Sequence, residues 1–273
     1  MNINNIITEI EKIDPEVYDR MDSRRTAMKG FAKLGAKLAL TAVPLALGGL
    51  FKKSYGQATT SIVDVLNYAL TLEYLESEFY TMGYAAAGLI PAGPAQGAIM
   101  TIRDHEVAHV AALKATIAAL NGTAVDKPDF DFTAGGAFAN VFTNYDTFLA
   151  VAQAFEDTGV RAYKGQAAKL ISNNDVLTAA LQIHSVEARH ASHIRQMRQA
   201  RNTGVTNKPW ITGKDTGGIG AAVQPVYNGE EITTQANINI AGFSGISANA
   251  ASEAFDEPLT MEAVLDIVTP FLA

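Results

Sequence analysis

Four long stretches of the chain repeat their apolar residues at helical spacing, and these predict four helices between about Thr59 and Thr203. The first, about Ser61–Ala87, places Ile62, Leu66, Ala69, Leu70, Glu73 and Tyr80 on one face and closes at Gly88 and Pro91. A second runs from about Ala95 to Leu120 and stops at Asn121-Gly122. The third spans about Phe142–Ile171; Ser172-Asn173-Asn174 ends it and offers an N-cap to the fourth, which continues to about Ala200. Arg195, Arg198 and Arg201 fall in the last turns of the fourth, where positive charge suits the helix dipole.

Connection lengths set the topology. Short turns within each pair make two antiparallel hairpins. The irregular stretch from Thr123 to Asn140, with Pro128 and Gly135-Gly136, is long enough to cross the bundle. The expected fold class is therefore all-α: a four-helix bundle with one long crossover between helix 2 and helix 3. Residues 204–273 are richer in Gly, Thr and Asn. Their β-prone runs, Ala222–Tyr227 and Asn237–Ile240, predict loops and a hairpin, and a final short helix is expected from Thr260. The division is thus 1–58, 59–203 for the bundle, and 204–273 for an irregular extension packed on it.

Residues 1–58 read as an address. Arg24 and Arg25 stand in Ser-Arg-Arg-Thr-Ala-Met-Lys, an apolar run follows from Leu34 to Phe51, and Gly56-Gln57-Ala58 supplies small residues for cleavage. The pattern resembles a twin-arginine export signal, with Ala27 where Phe is usual. It implies a mature start near Thr59 and a periplasmic or cell-surface location. The run is about as long as a minimal span of ~17 residues, but Lys37, Pro44 and many Ala and Gly weaken it, so no stable membrane span is expected after cleavage.

The segment carries nine of the 21 basic and six of the 28 acidic side chains, which leaves 12 against 22 in the body. So acidic a body, with no basic cluster, argues against nucleic acid. The absence of cysteine excludes disulfides, thiolate metal sites and cysteine nucleophiles.

Chemistry concentrates in the helices. Glu-x-x-His occurs twice, as Glu106–His109 and Glu187–His190, and each pair shares the apolar face of its helix. Glu73 and Glu156 sit among apolar residues on helices 1 and 3. Ionised carboxylates on core faces cost several kcal/mol each unless a counter-charge joins them. One Glu on each of two helices, with Glu-x-x-His on each of the other two, is the pattern that holds two metal ions in a bundle core. Four carboxylates and two neutral imidazoles are balanced by two divalent ions. Oxygen and nitrogen donors without sulfur suit iron, manganese or zinc. Arg103, Arg161 and Arg189 are the candidate partners in the competing reading, buried salt bridges.

Other polar residues have weaker placements. Glu76, one turn from Glu73, is an alternative to it as a ligand. Tyr80 and Tyr163 are core tyrosines that hydrogen-bond the ligands if the metal site is real, and His184 and His193, one turn either side of the helix 4 motif, are expected to support its ligands or to lie toward the bundle end. His105 is about 100° round from Glu106 and is expected to face solvent.

The order of the six residues, and the run Leu66-Asn-Tyr-Ala-Leu-Thr-Leu-Glu-Tyr, resemble the ferritin and bacterioferritin superfamily. The nearer likeness is to bacterial ferritin-like proteins of the desiccation-related type, which share an end like Ala254-Phe-Asp-Glu-Pro-Leu-Thr260 and a terminal hydrophobic helix. The resemblance spans roughly residues 60–273. It implies that Glu73 and Glu156 are single-helix ligands and that Glu106 and Glu187 bridge two ions, Fe or Mn. It also implies a link to stress, with oxygen, peroxide or Fe(II) as reactants if the protein is an oxidoreductase. A homo-oligomer is compatible with it, but the bulky extension argues against a ferritin-type storage cage.

Overall fold

The computed structural model describes residues 61–201, 204 and 206–273; the export-signal reading lies outside the described residues. Four long helices form the bundle: α1 (Ile62–Ala85), α2 (Pro94–Ala119), α3 (Tyr145–Gln166) and α4 (Asn174–Ala200). Local chemistry fixes each start. Ser61 and Asp64 form a reciprocal capping box on α1, Pro94 occupies the first turn of α2, and the Asn144 and Asn173 side chains cap α3 and α4. Asn144 places the start of α3 three residues after the predicted Phe142. A 3-10 turn, Ala167–Leu170, prolongs α3 toward the α4 cap.

Side-chain pairings give the helix directions. Tyr163 on α3 meets Glu73 on α1, while Glu156 on α3 meets Tyr80 on α1, so the two helices run antiparallel. His105 meets His190 and His109 meets Glu187, so α2 and α4 are antiparallel as well. That arrangement requires the 120–144 connection to cross the bundle, as its length predicts.

Packing follows from this. At one end Phe79 stacks on Phe148 with ring centroids 4.7 Å apart, and Phe155 and Phe132 complete an aromatic cluster. Gly83 permits the approach of Phe148, whose ring would lie 2.2 Å from a Cβ at that position. Toward the opposite end Leu66, Leu70, Leu113, Ile117, Val176 and Ile183 fill the core.

The extension wraps α3. It contains the short helices α5 (Gln224–Tyr227) and α6 (Ala248–Ser252), a two-stranded hairpin β1 (Thr234–Gln235) and β2 (Ile238–Asn239), and ends with α7 (Met261–Val268). Strand pairing puts Thr234 opposite Asn239 and Gln235 opposite Ile238. The predicted strand over Ala222–Tyr227 is instead a 3-10 turn and helix; Pro225 lacks the N–H a ladder needs but suits a first helical turn. The C-terminus stitches to the crossover, with Asp131 N donating to Phe271 O and Ala273 N to Asp129 O.

Two buried networks hold the extension. Arg161 donates to the carbonyls of Val226, Asn228 and Glu257 and pairs with Glu230 at 2.7 Å. Arg195 forks onto Asp157 at 2.5 and 3.0 Å, and Tyr227 donates to the same carboxylate at 2.9 Å. Arg195 and Arg198, in the last turns of α4, thus turn inward: Arg198 reaches Gln153 and the Gly217 carbonyl. No helix among the described residues is long and apolar enough to cross a membrane.

Candidate metal centre

The six residues singled out by sequence, Glu73, Glu106, His109, Glu156, Glu187 and His190, meet in the middle of the bundle, all of them buried. They form two overlapping groups that could each hold an ion. Glu73, Glu106, His109 and Glu187 make one; Glu106, Glu156, Glu187 and His190 make the other. Glu106 and Glu187 belong to both, the position a bridging carboxylate requires.

Hydrogen bonding does not explain this convergence. Nδ1 of His109 lies 3.1 Å from Glu73 Oε2, 3.0 Å from Glu106 Oε2 and 3.1 Å from Glu187 Oε1. One ring nitrogen carries at most one hydrogen and cannot satisfy three oxygens. Neighbouring ligands of an octahedral ion bonded at ~2.1 Å stand ~3.0 Å apart, which is the spacing seen. Around His190 the same holds: Nδ1 is 2.8 Å from Glu106 Oε1 and 3.4 Å from Glu156 Oε2. Yet Nδ1 of His190, Glu106 Oε1, Glu156 Oε2 and both oxygens of Glu187 have no hydrogen-bond partner. Buried polar atoms are rarely left so. They are close without being aligned as donor and acceptor, which is how lone pairs lie when they face a common cation. The donor set therefore fits a pair of divalent metals.

Electrostatics agree. Burial pushes the carboxyls of Glu187 and Glu76 well above the usual range, with Glu106, Glu73 and Glu156 adding repulsion. Burial also raises Glu73 to about 7, although His109 pulls the other way. Against burial, the carboxylates around His109 and His190 raise both imidazoles, His190 to about 11 through Glu156 and Glu106. Without cations, protons hold this cluster together.

The tyrosines do what the sequence predicts, but crosswise. Tyr80 on α1 donates to Glu156 Oε1 of α3 at 2.5 Å, and Tyr163 on α3 donates to Glu73 Oε1 of α1. Each fixes the outer oxygen of a carboxylate and leaves the inner one free for an ion.

One placement differs from expectation, and two others gain detail. His184 does not join the cluster; its interactions are with the Val160 backbone, Asp256 and Lys164. One turn from Glu187 on the helix, it is rotated toward α3 and the extension instead. His105 is exposed, as predicted, yet its Nδ1 lies 2.9 Å from His190 Nε2 and the two rings stack. The 100° turn from Glu106 does carry it off its own helix's core face, but the antiparallel α4 brings the His190 ring to meet it. If Nδ1 of His190 serves an ion, the proton sits on Nε2, which then donates to His105 Nδ1 and fixes the ring. Glu76 belongs to neither of the groups that could hold an ion, whereas Glu73 belongs to one. Glu76 is nevertheless buried beside the others, and Gly159 makes room: a Cβ there would come within 3.3 Å of both Glu76 Oε1 and Glu187 Oε2. No sequence pattern marks that glycine.

The salt-bridge alternative finds no support among the three arginines. Arg161 is buried but faces Glu230 in the extension, Arg103 pairs with Asp104, and Arg189 is exposed.

No curated protein sequence matches the chain. A family model described as a ferritin-like domain matches residues 61–200, which are 140 of its 273 residues and contain all six converging side chains. On that match and on the bundle that carries it, the chain belongs to the ferritin-like domain family.

Proposed function

We propose that this protein is an exported dinuclear metal protein of redox function, binding two Fe or Mn ions on Glu73, Glu106, His109, Glu156, Glu187 and His190. One observation carries the reading: five buried ligand atoms without hydrogen bonds lie within two groups that share Glu106 and Glu187. Such a pair of ions supplies reversible electron transfer to oxygen or peroxide, chemistry of the ferroxidase or manganese-catalase kind.

The chain's own residues prepare the site. Tyr80 and Tyr163 hold Glu156 and Glu73 in place, and His105 orients His190. The aromatic cluster of Phe79, Phe148 and Phe155 closes one end of the core to water. Export rests on Arg24, Arg25 and the apolar run that follows, and places this chemistry in the periplasm or at the cell surface, in keeping with a role in oxidative or desiccation stress. The competing reading is that the ions brace the bundle or are simply sequestered.

Reconstitution with Mn(II) or Fe(II), followed by elemental analysis and assays of peroxide consumption and Fe(II) oxidation, tests the proposal. Two ions per chain with turnover is the expected result. Two ions without turnover would favour the bracing role, and zero or one ion would overturn the dinuclear assignment.

A further inference from the structure

Beside the carboxylate cluster the bundle carries a half-open cavity of about 520 Å3, whose lining includes His109 but none of the core glutamates. It lies between α2 and α4, with α1 and α3 behind it. Its walls are mostly aliphatic, with Leu66, Leu72, Leu113 and Ile183 prominent, and alanines such as Ala112 and Ala180 stand where larger residues would fill the space. Its size is within the ~300–1,000 Å3 of small-molecule sites. Aliphatic wall left facing water costs free energy in proportion to its area, and a hydrocarbon occupant that covers it recovers that cost.

The polar groups are few. Arg189, His105, Gln182 and Ser185 line the exposed rim. Arg189 pairs with no carboxylate among the described residues, although the chain is acidic overall. Deeper, Tyr68 and Gln166 belong to the wall, and Tyr68 OH and Gln166 Oε1 have no hydrogen-bond partner. Along α2 the lining runs from His105 to Thr116, ~16 Å at 1.5 Å per residue, the extended length of roughly a dozen carbons. Apolar length, an unpaired cation at the rim and an aliphatic wall together select one ligand class.

We infer that this cavity binds a single-chain fatty acid, its alkyl chain along α2 and α4 and its carboxylate at Arg189. The chain would lie against His109 and Tyr163, which line the same cavity, so the occupant shares a wall with the carboxylate cluster. Binding itself requires no metal.

The test uses the full chain, titrated calorimetrically with lauric acid and with dodecanol, in chelator and again with Mn(II). Both should bind once per chain under either condition. Arg189→Glu, on the exposed rim, should weaken lauric acid roughly three- to tenfold and leave dodecanol unchanged. Ala112→Phe should block both while the melting curve stays cooperative. No saturable binding of lauric acid, or binding unchanged in both variants, would overturn the inference. A wild-type dimer that excludes the acid would overturn it too, because a second copy would then cover the groove. Failure to bind Mn(II) with lauric acid still bound would count against the metal reading alone.

Discussion

Replacing Glu73 by Gln tests whether the core carboxylates exist to bind cations. In the metal-free bundle burial raises Glu73 to about 7 from an ordinary 4.5. At pH 8 the group is ionised folded and unfolded, and a carboxylate held that far above its ordinary value costs roughly 3 kcal/mol of stability. Gln at this position removes that charge and keeps an oxygen to accept from Tyr163. In chelator the variant should therefore be as stable as wild type or more so, by up to about 3 kcal/mol, or ~6–12 °C in melting temperature. Metal reverses the order. A ligand present at about 1,000 times its Kd stabilises by roughly 4 kcal/mol, and a hundredfold weaker site loses nearly 3 of these. Mn(II) should thus raise the wild-type melting temperature well beyond that of the variant. The assay is four thermal melts at pH 8, wild type and Glu73→Gln, each with chelator and with Mn(II). A variant that loses stability equally in both conditions, by the ~3–5 kcal/mol typical of a stranded buried ion pair, would refute the reasoning.

Three further expectations follow from other parts of the molecule. His105→Phe keeps the ring stacked on His190 but removes its acceptor, and should weaken metal binding about 10- to 100-fold, measured by competition with a chelating dye, while the metal-free melt changes little. Burial raises Glu230 to about 7, against the pull of Arg161. The folded chain then holds a proton between about pH 4.5 and 7 that the unfolded chain releases, so stability should fall as pH rises through that window; Glu230→Gln should flatten this slope in urea titrations at pH 5 and pH 8. Changing Arg24 and Arg25 together to Lys should leave the protein in the cytoplasm with residues 1–58 attached, as read by fractionation and N-terminal sequencing; export unchanged in that variant would refute the signal.

Much was legible in the sequence because helices repeat with a fixed period. Glu-x-x-His at i, i+3 on an apolar face stands out whatever the helix packs against, and the caps Ser61, Asn144 and Asn173 are local. The length of the crossover alone selects the helix directions that the structure shows. What lay beyond it depends on contacts between elements. His105 is off the core face of its own helix, and only the arrival of α4 makes it a partner of His190. Tyr80 and Tyr163 are each seven residues from a glutamate on their own helix, but the antiparallel packing of α1 and α3 gives each tyrosine to the other helix's carboxylate. By sequence Arg161 is a candidate partner for the core glutamates; the extension claims it, and its wrapping buries α3 almost continuously from Phe148 to Tyr163. Gly159, which makes room for Glu76 and Glu187, and the cavity between α2 and α4 are matters of volume. A one-dimensional pattern records which face of a helix is apolar, whereas the space between faces is set by how three or four helices and a tail close on one another.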